Sequence, residues 1–182
     1  MNFQFHICLN DKDYLDYNIF WTFRSPYGKK QMLKFRVMLA VLLGMISFLS
    51  LMRGEFSASA WLGILPYGIL LLLLELLWNP FVAWTLKGYI KSLKKKGKMG
   101  YSPVSKMEFC DDSFTEITSD HKTEQPYSAI ERVSVIPDKV IYIHVNNVMS
   151  YILPISCFES KQQYNDFLDF LKTKCTNMDR YR

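Results

Sequence analysis

Glu75 is the residue whose setting most invites a chemical role. It stands in the run Ile69-Leu70-Leu71-Leu72-Leu73-Leu74-Glu75-Leu76-Leu77-Trp78. A carboxylate within a membrane span is costly, so it marks an ion path, a helix–helix contact, or a span end from which it reaches the headgroups. Depth separates these cases. If the span covers residues 59–78, Glu75 lies about one turn from its end; if it continues to Trp84, Glu75 lies more than two turns inside. Downstream stand Lys87, Lys91, Lys94, Lys95, Lys96 and Lys98, with no acid between 87 and 98. These lysines are candidate contacts for anionic lipid, worth about 1 kcal/mol each near a charged surface, and they also fix topology.

The remaining reactive side chains form no catalytic pattern. A serine or cysteine nucleophile needs a base and a group to orient it, and no trio is evident. The histidines His6, His121 and His144 and the cysteines Cys8, Cys110, Cys157 and Cys175 lack metal-ligand spacing. His6 and Cys8 share one strand face, as do Tyr142 and His144; both pairs are expected to face solvent. No Gly-rich phosphate loop is present. The reading is therefore of a non-enzyme with no metal and no cofactor.

The elements that carry these residues start with two long apolar runs. Sixteen residues from Val37 to Met52 and nineteen from Phe56 to Leu74 are uncharged. About 20 helical residues cross a hydrocarbon core of about 30 Å. The second run suffices alone, and Phe35 extends the first, with Lys34 and Arg36 able to snorkel. Two transmembrane helices are expected, at residues 35–52 and 58–86, joined by a short external loop at 53–57. Residues 1–36 carry six basic and three acidic side chains, while Arg53-Gly54-Glu55 is neutral. Positive flanks stay inside, so both termini are expected in the cytoplasm. Four cysteines without a CxxC pair, all in those cytoplasmic parts, suit free thiols in a reducing compartment. Residues 101–182 hold nine basic and twelve acidic side chains. That acidic surface, and the tethering of the lysine run, argue against nucleic acid as a partner.

Outside the spans the periodicity is that of a small α+β domain. Phe3, Phe5, Ile7 and Leu9 alternate as in a half-buried strand. Asn10 offers an N-cap to a helix through Tyr14–Phe23, with Asp11 and Asp13 in its first turn and aromatics on most faces; residues 1–34 are taken as this cytoplasmic N-terminal part. Ser25-Pro26-Tyr27-Gly28 closes it. Trp61, Trp78 and Trp84 resemble interfacial anchors. Residues 87–103 form a basic connector in which helix can run on to Gly97 and Gly100. From 104 the period is two. Strands are expected near 107–110, 114–118, 122–125, 130–136, 140–145 and 148–153, with Val140–Val145 central and Asn146-Asn147 a two-residue turn. Ser160 and Gln163 form a capping box for a helix whose Tyr164, Phe167, Leu168 and Leu171 share one face. Residues 104–175 form this domain, and 176–182 a tail.

Several motifs resemble the YcxB-like family of small bacterial membrane proteins. They are Asp13-Tyr14-Leu15 after the first strand, Met107-Glu108-Phe109, Tyr127-Ser128-Ala129-Ile130, and Tyr151-Ile152-Leu153-Pro154 leading into Cys157-Phe158. The family often has Trp where Tyr127 stands. The resemblance implies a two-span protein of the bacterial cytoplasmic (inner) membrane, with a pleckstrin-homology-like domain: a bent antiparallel sheet closed by a C-terminal helix. It brings no activity to carry over. Asp111-Asp112 occupies the first hairpin turn of that domain and would repel a phosphorylated headgroup. The functional expectation is a membrane-anchored module that binds a protein partner or senses the membrane surface. The alternative is a small transporter, channel or transport-accessory subunit, a homo-oligomer built on its two-helix hairpin around Glu75. If the N-terminal strand joins the later sheet, the spans are an insertion within one folded unit.

Overall fold

The computed structural model describes residues 2–52, 58–146 and 149–181. They fall into two compact units, 1–17 with 93–182, and 18–92.

The first unit begins where the alternating N-terminal segment becomes strand β1, Phe3–Cys8. It pairs antiparallel with β2, Val104–Phe109, with Phe5 opposite Met107 and Ile7 opposite Ser105. β3 (Ser113–Ile117) and β4 (Lys122–Pro126) complete a four-stranded sheet in the order β1-β2-β3-β4. A 3-10 turn at Tyr127–Ala129 leads to β5 (Arg132–Ile136), β6 (Val140–His144) and β7 (Ser150–Pro154). β6 lies inside the second sheet and is buried along its whole length, as its two-sided apolar pattern requires.

Three details depart from the sequence expectations. The tail is not structureless: Met178–Arg180 forms β8, parallel to β5, giving the order β7-β6-β5-β8. Three residues are too few for a periodic signal, and the strand exists because β5 offers an unpaired edge. The β6–β7 connection is longer than Asn146-Asn147, since the Val145 N–H donates to the Met149 carbonyl at 3.1 Å; Asn147 and Val148 lie outside the described residues. Finally, Gln163 donates its backbone N–H to Ser160 Oγ (3.1 Å), yet its own side chain accepts from Glu159 rather than from Ser160 (2.8 Å).

Between the sheets and α4 (Lys161–Lys174) lies an aromatic core. Phe167 is fully buried, with its ring centroid 4.8 Å from those of Phe5 and Phe109 and 5.3 Å from that of Phe3, all in edge contact. Rings of opposite quadrupole orientation attract in this geometry. The N-terminal strand is thus part of the core that the C-terminal strands build.

The ends of the helices follow ordinary capping chemistry. Asn10 Oδ1 accepts from the N–H groups of Lys12 (2.8 Å) and Asp13 (3.1 Å), and Asp13 returns a bond from the Asn10 N–H (3.0 Å), starting α1 at Asp11–Phe23. α2 (Pro26–Met52) starts at Pro26, nine residues before the expected span, because proline suits a first helical position and Ser25 Oγ receives the Gly28 N–H at 2.9 Å. A Cβ at Gly28 would collide with the Trp21 carbonyl, so only glycine lets the chain turn there.

α3 covers Ala58–Lys95 and includes Pro66 and Pro80. Much of the expected connector is therefore helical, lysine being a good helix former. The helix stops where Gly97 takes φ 65°. There the Gly97 N–H meets the Lys94 carbonyl and the Lys98 N–H meets the Leu93 carbonyl, both at 3.1 Å, which is a Schellman stop. The expected loop at 53–57 and the Trp61 side chain lie outside the described residues.

Two stretches, Pro26–Leu49 and Leu65–Lys95, are long and apolar enough to cross a membrane. Many of their described apolar side chains stand open: Met38, Leu72 and Leu76 are 59%, 60% and 68% exposed. A contiguous apolar surface of this size needs a non-aqueous neighbour.

Candidate functional site

Within the second unit, Glu75 does not stand alone. Arg36 of α2 lies 3.4 Å from its carboxylate and donates a second bond to Asn79 Oδ1 at 3.1 Å, one turn further along α3. The rings of Phe35 and Trp78 pack beside them at a tilt, with centroids 5.2 Å apart. These bonds tie α2 to α3 beside Glu75. A charge pair in or near lipid is held because separating it leaves a bare charge. Glu75→Leu is expected to lower the melting temperature of the detergent-extracted chain. The exchange Arg36→Glu with Glu75→Arg is expected to recover most of that loss, and thermal melts of the three proteins check it.

All six candidate lysines are exposed. Lys94 pairs with Asp11 at 2.6 Å, and Asp11 also accepts from the Tyr101 hydroxyl at 2.7 Å. The Lys94 and Tyr101 hydrogen bonds hold the Asp11 carboxyl below its usual range. Lys94 thus ties the end of α3 to the start of α1.

Tyr142 and His144 are not solvent-facing, contrary to the strand-face reading. They are 1% and 2% exposed. α1 covers them: the Tyr17 ring meets Tyr142 at 5.3 Å, and Asp16 pairs with Lys139 at 3.1 Å. Alternation reports which residues share a face, and here both faces of the strand are covered. His144 Nδ1 lies 2.8 Å from Ser150 Oγ and Nε2 lies 3.1 Å from Ser134 Oγ, while the Tyr17 hydroxyl donates to Ser150 at 2.8 Å.

A serine–histidine contact invites thoughts of catalysis, but burial and the nearby Arg132 cation push the His144 pKa down to about 4. Such an imidazole is a feeble base near neutrality. It does make the fold acid-sensitive. The unfolded chain takes up the proton near pH 6.5 and the folded one only near 4, so stability is full above about 6.5 and falls as the pH drops through that window. The loss is on the order of 3 kcal/mol at most. Urea titrations between pH 7.5 and 4.5 check this, and His144→Gln is expected to flatten the profile.

Sequence reasoning did not single out the principal cavity. A pocket of about 500 Å³ opens in the first unit, where the first sheet, β7, the N-terminal half of α1 and the chain at Met99–Ser102 meet. Met107 and Glu116 are cross-strand partners on its wall, and Ser105 lies on the same face as Met107. Opposite stands Tyr151, 5% exposed, its hydroxyl buried without a hydrogen-bond partner. Burial and the Glu116 carboxylate push that hydroxyl up to about 12. Burial also raises the Glu116 carboxyl, against the opposing effects of His121 and a hydrogen bond with Ser105. The rings of Tyr14 and Tyr101 line another side with centroids 4.9 Å apart, and Gly100 leaves no room for a Cβ against the Tyr14 hydroxyl. Glu116 is the one charged residue among those described that line the pocket.

A signal for this site does exist in the sequence. Glu116 follows Phe114 by two in a strand, which puts a carboxylate on the core-facing side. Among the described residues no cluster of three or more His, Cys, Asp or Glu side chains gathers to hold a metal ion. Cys8 and Cys110 are exposed thiols, and Cys157 and Cys175 are half-buried ones.

The family described as YcxB-like protein matches residues 109–171, from the end of β2 to α4. No curated protein and no solved structure matches the chain.

Proposed function

We propose that this chain, which carries a YcxB-like domain at residues 109–171, is a membrane-anchored, non-catalytic binding module. Its two apolar helices hold it in the membrane, with both termini on the cytoplasmic side of a bacterial inner membrane, as the lysine placement favours. Its sheet domain, pleckstrin-like in layout, takes a small ligand into the pocket beside Tyr151. The observation that carries this reading is a pocket of about 500 Å³ whose described lining holds a single charged group, the Glu116 carboxylate, among tyrosine and methionine side chains. Sensing and partner docking follow naturally for a module whose N-terminal helix and connector both line the pocket. Arg36 neutralises Glu75 within the hairpin, which weighs against an ion path.

The test is retention. The full chain in neutral detergent is equilibrated with the small-molecule fraction of a bacterial lysate, washed and denatured, and the released compounds are identified by mass spectrometry. Wild type is expected to release a compound that Ser105→Leu, which fills the pocket wall, does not, with equal melting temperatures showing that both are folded. Equal release from the two proteins, or none from either, overturns the reading.

A further inference from the structure

The charge and surface chemistry of the pocket select among ligand classes. No lysine, arginine or histidine lines it among the described residues, so an anionic ligand would meet the Glu116 carboxylate with no lining cation to offset it. A purely apolar ligand would cover further a Glu116 carboxylate whose charged form burial already disfavours. A hard metal cation demands six or more oxygen ligands, or several carboxylates with water, and one carboxylate is present. What remains is an organic cation. Its charge matches Glu116, its carbon substituents match an aromatic and thioether lining, and the faces of tyrosine rings attract cations directly. The lining has that character: Tyr14, Tyr17 and Tyr101 supply rings, and Met107 and Met149 supply polarisable thioether surface.

We propose that this pocket binds an organic ammonium group, with Glu116 as its counter-ion and the rings of Tyr14 and Tyr101 as its cation-π wall. Burial holds the empty-site carboxyl of Glu116 above its ordinary value, and a cation placed beside it restores the charged form. The inference rests on the pocket being a ligand site, as set out under the proposed function, and adds the class of ligand.

The probe is choline, set against its neutral isostere 3,3-dimethyl-1-butanol, in which carbon replaces the nitrogen. Calorimetric titration of the full chain in neutral detergent is expected to give choline about tenfold or greater preference, in line with a desolvated cation-π contact plus a counter-ion. Glu116→Gln is expected to remove most of that preference while leaving the melting temperature and the weak binding of the isostere unchanged. Tyr101→Phe, which keeps the ring, is expected to retain it. Two lipid environments separate the sources of such a group. Weaker choline binding in phosphatidylcholine nanodiscs than in phosphatidylglycerol nanodiscs assigns the site to a lipid headgroup, and equal binding assigns it to a free ammonium compound. Equal affinity for choline and its isostere, or a preference that survives Glu116→Gln, overturns the proposal. If that happens while wild type still retains a compound that Ser105→Leu does not, the pocket is a ligand site of another class; if retention also fails, the pocket reading itself falls.

Discussion

Deleting residues 2–9 is expected to unfold the sheet domain encoded on the far side of both apolar helices. β1 supplies Phe5 and Ile7 at 1% exposure each, with Phe3 packed against the same core. Each such side chain is worth about 1.5–3 kcal/mol of burial. Losing all three removes on the order of 6 kcal/mol, comparable to the whole stability of an ordinary domain. The deletion also strips β2 of its six-residue ladder and exposes a new sheet edge. Near-ultraviolet circular dichroism and amide exchange of β6 in the full and truncated chains, both in detergent, check the outcome. A truncated chain that still melts cooperatively, with β6 protected, would show that β1 is dispensable.

Phe167→Ala is the second large effect. The ring is fully buried, with close edge contacts to Phe3, Phe5 and Phe109, so its removal leaves a cavity where two sheets and α4 meet. The expected cost is about 3–5 kcal/mol. Phe167→Leu keeps more volume and is expected to cost less than half of that. Asn165→Ala, at an exposed position of the same helix, is expected to change stability by under about 0.5 kcal/mol. Urea unfolding followed by tyrosine fluorescence ranks the three. The same substitutions bear on the fold's unity, because Phe167→Ala should loosen β1 as much as the C-terminal strands.

Glu75 shows what residue type alone leaves open. A carboxylate in an apolar run was legible as an anomaly, and so were the three roles it could play. That Arg36, on another helix, lies within 3.4 Å of it was not legible at all. Tyr142 and His144 make the complementary case. Their shared strand face was legible, but solvent was assigned to it because nothing in β6 reports that α1 lies across it. The buried His144 network then follows from that cover, not from any local motif.

The pocket was the least legible feature, though each of its residues was in view. Glu116 sits in a strand whose alternation places it beside Phe114 on the inward side, a signal that becomes meaningful only once the first sheet is known to be covered. Tyr14, Tyr101 and Tyr151 come from a helix, a connector and a strand far apart in sequence, and no spacing rule joins them.

The sequence by itself determined the two apolar helices, the Asn10 and Ser160 N-caps, the succession of strands from β1 to β7 and the amphipathic last helix, because each depends on neighbours within a few residues. The carboxylate at position 75 belonged to that level as well. Tertiary structure decided that β1 joins β2 across an insertion of both helices, that the C-terminal tail adds a parallel strand, that Arg36 answers Glu75, and that a pocket with one carboxylate remains between the sheets. Those outcomes depend on contacts between residues distant in the chain. Periodicity names the face that must be covered, and only packing settles what covers it.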